Sequence, residues 1–150
     1  MARYESRSTA WWLFALAVLL GVGGLALAVG FGLAGRAEVF IGLGLVPFAL
    51  VLANFGVLTV RVGGDELAWR FGPGPVGRRI PLRRVRSVEE RRTPWYWGWG
   101  IRWTPRGWLW RAHGLDAVWL ELDDGKWVGV GTQDPGGLSG ALRARITESA

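Results

Sequence analysis

The chain contains no cysteine, which excludes disulfide bonds, thiolate nucleophiles and cysteine-ligated metal sites. It has a single histidine, His113, so a metal site built from several histidines is excluded as well. Lysine is nearly missing: of the 18 basic residues only Lys126 is a lysine, and all the others are arginine. From these absences we expect neither a metal ion nor a cofactor.

Charge is also missing from two long segments near the N terminus. Residues 11–34 carry no charged side chain, and residues 39–55 form a second uncharged run. A helix of 24 residues is about 36 Å long, which is enough to span a bilayer. The sequence therefore predicts a tail (1–10), a transmembrane helix (11–34), a short external turn (35–38), a second transmembrane helix (39–56) and a cytoplasmic domain (57–150).

Basic residues beside these two segments predict the orientation of the hairpin. Arg3 and Arg7 lie in the tail, and the segment that begins with Arg61 is rich in arginine, whereas the turn at 35–38 is charge-balanced. Because positive charge favours the cytoplasmic side, we expect both termini to be cytoplasmic and the protein to be integral to the cytoplasmic membrane.

Small residues with helical spacing favour close packing of the predicted helices. Gly24, Ala28 and Gly32 follow one another at intervals of four residues. This spacing lets two helix backbones approach closely, either within the hairpin or between two copies of the chain.

Downstream of Gly56 the hydrophobic pattern changes to a period of two, which indicates strands. Leu58, Val60 and Val62 alternate with polar residues, a Gly-Gly turn follows, and a second alternating run ends at Phe71. Further short strands follow, and Asp134-Pro135 is a typical helix start before a final amphipathic segment. We expect a mainly-β barrel or sandwich of about seven strands with a C-terminal α-helix.

Two segments of this region resemble a known family. They are residues 97–110, WGWGIRWTPRGWLW, and residues 117–125, AVWLELDDG, with the later GTQDP at 131–135. They are similar to the bacterial pleckstrin-homology-like (PH-like) domain of small two-helix membrane proteins. The resemblance covers roughly residues 57–146 and includes the two preceding helices. It implies a PH-like fold that binds lipids, peptides or proteins, and it implies no catalytic residues.

Residues 72–77, GPGPVG, match the glycine pattern of a dinucleotide-binding loop. Two prolines remove backbone N–H donors that a phosphate would need, and the following RRIP cannot open the required helix. We therefore interpret the segment as a loop between strands.

Ten arginines lie between residues 78 and 111 against only Glu89 and Glu90, a local charge of +8. This pattern is typical of a solvated face, of a surface that attracts anionic lipid headgroups, or of a nucleic-acid site, which we consider unlikely here. The predicted headgroup-binding residues are Arg78, Arg79, Arg83, Arg84 and Arg86.

Tryptophan is unusually frequent, with 11 residues. Trp95, Trp97 and Trp99 alternate with smaller or polar residues, as in a strand. Such rings either fill a small core or lie at an interface with lipid or a protein partner, and we take the three as candidate interfacial or partner-binding residues.

No serine, histidine or carboxylate is placed as a nucleophile or as an acid–base pair, so we expect no enzyme. The sequence instead predicts a membrane-anchored PH-like interaction or scaffolding module for a protein, a peptide or an anionic lipid headgroup. The alternative is an accessory or assembly subunit of a larger membrane complex, acting through its hairpin. Expected partners are the bilayer, anionic lipids, and a protein partner or a second copy.

Overall fold

A computed structural model describes residues 4–30 and 36–148, in which the chain forms nine strands and three α-helices. The described chain divides into two compact units. Ala10–Gly56 form a helical unit, and the remainder forms a β unit. The N-terminal strand thus belongs to the β unit although the helical unit separates it from the other strands in sequence.

The helical unit consists of α1 (Trp11–Gly30) and α2 (Arg36–Phe55), which pack against each other. Leu13, Ala17 and Ala49 are buried. At the base of the pair, the Ala10 amide donates a hydrogen bond of 2.7 Å to the Gly56 carbonyl. The short side chains of the two alanines allow the helices to approach closely.

The expected transmembrane hairpin is wrong. None of the helices in residues 4–30 and 36–148 is both long enough and apolar enough to cross a membrane. Helix α1 is described over 20 residues, and α2 begins on Arg36, includes Glu38 and has Pro47 in its interior. The predicted membrane spans at 11–34 and 39–56 are therefore wrong. The predicted integral membrane localisation, with both termini cytoplasmic, is wrong for the same reason.

The first sheet has four antiparallel strands in the order β1-β2-β3-β4. These are β1 (Tyr4–Thr9), β2 (Val57–Gly63), β3 (Glu66–Phe71) and β4 (Gly77–Pro81). The β2–β3 hairpin agrees with the alternation in the sequence. Strand β1 was not predicted, because its polar residues carry no strand pattern and its partner β2 begins about fifty residues later.

The second sheet has five strands in the order β5-β8-β9-β7-β6. They are β5 (Val85–Arg92), β6 (Gly100–Thr104), β7 (Gly107–Arg111), β8 (Asp116–Leu122) and β9 (Trp127–Gly131). Strands β7 and β9 pair in parallel, and the remaining pairs are antiparallel. This order leaves β6 at one edge of the sheet, where it pairs with β7 alone.

The two sheets meet through aromatic and aliphatic side chains. The ring of Trp110 in β7 lies 5.8 Å from that of Trp69 and 6.1 Å from that of Phe71, both in β3. Helix α3 (Pro135–Glu148) adds the fully buried Leu138 and Leu142 to this core. Large rings of this kind contribute most of the apolar area that a small β unit can bury.

The start of α3 was predicted from the sequence and is confirmed. The Asp134 carboxylate accepts a hydrogen bond of 2.9 Å from the Gly137 amide, as an N-cap residue does. Arg143 and Ser139 of α3 reach β5, where Arg143 donates to the Val88 carbonyl at 3.1 Å and Ser139 bonds the Glu90 carboxylate.

The predicted fold of about seven strands behind a membrane hairpin is therefore wrong: the described residues form nine strands in two sheets and a separate helical unit. Part of the difference is β1. The other part is the run of alternating tryptophans, where a 3-10 turn (Trp95–Trp97) precedes β6. Period-two alternation occurs in this segment without an extended backbone.

Candidate functional site

The predicted headgroup-binding arginines lie on three consecutive elements that run from the first sheet to the second. Arg78 and Arg79 lie on β4 of the first sheet, whereas Arg86 lies on β5 of the second. Arg83 and Arg84 belong to a 3-10 turn (Leu82–Arg84) that connects the two sheets. All except the half-buried Arg84 are exposed.

Arg84 has a structural partner. Its guanidinium lies 2.9 Å from the Asp123 carboxylate and 3.4 Å from that of Asp124, in the turn between β8 and β9. The hydrogen bond from Arg84 lowers the pKa of Asp123, and a hydrogen bond from Lys126 lowers the pKa of Asp124. Arg84 therefore ties the start of β5 to this turn.

The predicted helix-packing residues are only partly described. Gly24 is buried within α1, in agreement with a packing position. The side chain of Ala28 and the whole of Gly32 lie outside the described residues.

The three candidate tryptophans separate into two groups. Trp95 and Trp99 are exposed, with Trp95 at 73%. Trp97 is half-buried and its ring meets Trp119 edge to face at a centroid distance of 6.2 Å. Only Trp95 and Trp99 are thus available at the surface, while Trp97 packs the turn onto the second sheet.

More exposed aromatic side chains follow in β6 and β7. Trp103 and Trp108 face each other across the β6–β7 ladder, with ring centroids 5.3 Å apart, and Trp103 is 68% exposed. Tyr96 is exposed beside Trp95, with which it makes an edge-to-face contact. We call the following set the aromatic surface: Trp95, Tyr96, Trp99, Trp103 and Trp108.

The aromatic surface flanks an open strand edge. In the part of the chain that the structure describes, no strand pairs with the outer side of β6. Trp103 lies on β6 itself, and Trp95 to Trp99 come directly before it. An edge strand of this kind offers unpaired backbone donors and acceptors beside exposed rings.

A buried arginine holds the aromatic turn in place. The Arg111 side chain is fully buried, and its Nε donates to the Gly98 carbonyl at 2.9 Å. It donates further hydrogen bonds to the same carbonyl and to the Thr93 hydroxyl. Burial lowers the pKa of Arg111, with a smaller contribution from the charge of Arg102. The sequence places Arg111 within the arginine-rich region, and no local signal marks it as buried.

Beside the aromatic turn lies a groove of about 430 Å³, which we call the arginine groove. Its lining includes Arg91, Arg92, Arg106, Trp97 and Trp119. Arg106 pairs with Glu89, and its guanidinium lies 3.9 Å from the ring centroid of Trp127.

The arginine groove is rich in donors that lack acceptors. Within residues 4–30 and 36–148, the buried Nε of Arg106 and Nε1 of Trp119 have no hydrogen-bond partner. Arg91 and Arg92 are exposed and form no ion pair in that same range. These two buried N–H groups are closed to a ligand, whereas the exposed guanidinium groups of Arg91 and Arg92 supply donors for oxygen acceptors.

No protein-family model matches this chain, and no curated protein matches its sequence significantly.

Proposed function

We propose that the protein is a non-enzymatic interaction module that binds an extended, acidic segment of a protein partner along the edge of β6. The observation that carries this proposal is the aromatic surface beside an unpaired strand edge. Soluble proteins rarely expose large contiguous apolar patches without using them for binding. An interaction role is also what the PH-like resemblance implies.

The edge of β6 supports binding of an extended peptide. A peptide that adds a strand to a sheet gains main-chain hydrogen bonds, and its alternate side chains reach the two faces of the sheet. Trp103 and Trp108 lie on one face of β6–β7, and the register places Arg102 and Leu109 on the other. Tryptophan, tyrosine and arginine are also the residues that most often dominate binding energy at protein interfaces.

The charges around the edge support an acidic partner. Arg102 on β6 is exposed, and Arg106 of the arginine groove lies in the turn between β6 and β7. Arg91 and Arg92 of the same groove lie on β5, at the opposite edge of the sheet. Arginine binds carboxylates through two parallel hydrogen bonds, which an acidic side chain of the partner supplies. Complementary charge also speeds the encounter of the two chains at low salt.

Selection of random peptides on the full-length chain tests this proposal. We expect the enriched peptides to combine acidic residues with alternating apolar residues and to lose affinity as salt is added. Trp103→Ala removes an exposed ring beside the edge and should weaken the selected peptides about tenfold or more, measured by fluorescence anisotropy.

A matched control variant distinguishes peptide binding at β6 from nonspecific binding to any exposed tryptophan. Trp11 is 72% exposed and belongs to the helical unit, so Trp11→Ala should leave the affinity unchanged. Equal losses in Trp11→Ala and Trp103→Ala, or enrichment of basic peptides, would contradict the proposal.

A further inference from the structure

Small and large side chains alternate on the outer face of the four-stranded sheet. The register places Thr59 opposite Arg70, and it places Ala68 between Arg61 on β2 and Arg79 on β4. Directly opposite residues of neighbouring strands have Cβ atoms about 4.5–5.5 Å apart. Ala68 therefore lies among three arginines, Arg61, Arg70 and Arg79. The small side chains of Thr59 and Ala68 form the floor of the space between these arginines.

A cavity of about 340 Å³ opens above this floor. Gly74 and Pro75 form part of its wall, from the glycine- and proline-rich loop at 72–77. Among the residues that the structure describes, no carboxylate lines the cavity. We call it the cationic pocket, and its polar side chains are Thr59, Arg61, Arg70, Arg78 and Arg79.

Two glutamates orient the pocket arginines without occupying the pocket. The Glu5 carboxylate lies 3.0 Å from Nη2 of Arg61, and the Glu66 carboxylate lies 3.8 Å from Nη1 of Arg79. Each guanidinium has five N–H donors, so both arginines keep donors for a ligand.

The side chains of Arg70 and Arg78 have no ion-pair or hydrogen-bond partner among the described residues. Gly77, which pairs with Arg70, lacks a side chain for a steric reason. A Cβ atom at Gly77 would lie 2.6 Å from the Cβ of Arg70, which is far inside van der Waals contact. The glycine thus leaves the space beside Arg70 open.

We propose that the cationic pocket binds the phosphate group of a phosphate monoester, with Arg61, Arg70 and Arg79 as the charged contacts. A phosphate monoester carries close to two negative charges at pH 7, and guanidinium groups bind its oxygens through paired hydrogen bonds. The Thr59 hydroxyl supplies a neutral donor at the floor. This site is on the first sheet and does not depend on peptide binding at β6.

Titration of the full-length chain with glycerol 3-phosphate tests the pocket. We expect saturable binding by calorimetry that weakens as salt is added, and about a tenfold weaker affinity in Arg70→Gln. Arg70→Lys keeps the charge but loses the planar fork, so it should restore part of the affinity. Thermal unfolding of each variant shows whether the fold is retained.

The control variant is Arg83→Gln, since Arg83 is exposed and lies outside the pocket lining. It should bind glycerol 3-phosphate as the unmodified chain does. Equal weakening in Arg70→Gln and Arg83→Gln would show diffuse charge attraction and would overturn the proposal.

A second arm identifies the source of the phosphate. Vesicles of phosphatidylcholine with and without phosphatidic acid present the same monoester on a lipid. Binding of glycerol 3-phosphate with the expected variant pattern supports a soluble ligand, whereas the same pattern with phosphatidic acid alone supports a lipid ligand. Absence of binding in both arms overturns the proposal.

Discussion

At the scale of single residues, Arg111 holds the turn that carries Trp95 and Tyr96 of the aromatic surface. It is fully buried and donates hydrogen bonds to the Gly98 carbonyl and the Thr93 hydroxyl, on either side of Trp95–Trp97. Thr93 in turn donates to the Leu115 carbonyl at 2.7 Å. One guanidinium therefore connects the aromatic turn to β7.

Replacement of this side chain should destabilise the β unit. Arg111→Met leaves the half-buried Gly98 carbonyl and the buried Thr93 hydroxyl without their charged donor, and we expect the free energy of unfolding in urea to fall by about 2 kcal/mol. Arg102→Met, at an exposed position, should change it by less than about 0.5 kcal/mol. An unchanged midpoint in Arg111→Met would show that the turn is held by other contacts.

The Arg84–Asp123 pair gives stability a defined pH dependence. Because the pKa of Asp123 is lowered in the folded chain, the pair stabilises the fold above the ordinary carboxyl pKa near 4. This contribution is lost as the pH falls through the lower folded pKa. We expect the melting temperature to fall below about pH 4, and Asp123→Asn should make that fall smaller. An identical pH profile in the variant would count against the pair.

At the scale of elements, the β6–β7 hairpin that carries Trp103 and Trp108 requires glycine at one position. Gly107 has a φ of +143°, and a Cβ atom there would lie 2.1 Å from the Trp127 carbonyl oxygen. The parallel pairing of β7 with β9 brings this carbonyl close. A side chain at Gly107 therefore cannot be accommodated without separating the two strands.

Gly107→Ala should accordingly lower the free energy of unfolding by about 3 kcal/mol or more, measured by urea titration. Gly140, in α3, has open space at its Cβ position, so Gly140→Ala should instead stabilise the protein by about 0.5–1 kcal/mol. Similar effects of the two substitutions would show that the hairpin tolerates a wider separation.

The sequence predicted those elements whose hydrophobic alternation, turn residues or capping residues lie within a few positions of one another. The β2–β3 hairpin follows from alternation and a Gly-Gly turn, and α3 follows from its Asp-Pro start. Strand β1 and the 3-10 turn at Trp95–Trp97 were missed, since the first depends on a distant partner and the second on a buried arginine. Uncharged length alone also misled the prediction of membrane spans, which the described helices do not support.

In the candidate sites, too, some residues could be named from the sequence and others join only through strand pairing. Trp95 and Trp99 were named from composition, but Trp103 and Trp108 become part of the aromatic surface through strand pairing. Arg79 was named too, whereas Arg61 and Arg70 join it only when the register of β2, β3 and β4 is known. Side chains from separate strands form these sites, so spacing within one strand could not identify them.

At the scale of the whole molecule, the β unit presents two candidate binding surfaces of different chemistry on different sheets. The aromatic surface and the arginine groove adjoin the second sheet, and the cationic pocket lies on the first. We expect peptide and phosphate binding to be independent, because the two sites share no lining residue.

Strand addition at β6 is the central claim, and amide hydrogen exchange of the full-length chain tests it most directly. With a selected acidic peptide bound, the amides of residues 100–104 that face outward should exchange more slowly, since they become hydrogen-bonded to the peptide. Amides of α1 and of β1–β4 should keep their rates. Protection confined to those other segments, or no protection in β6 at saturating peptide, would contradict the account.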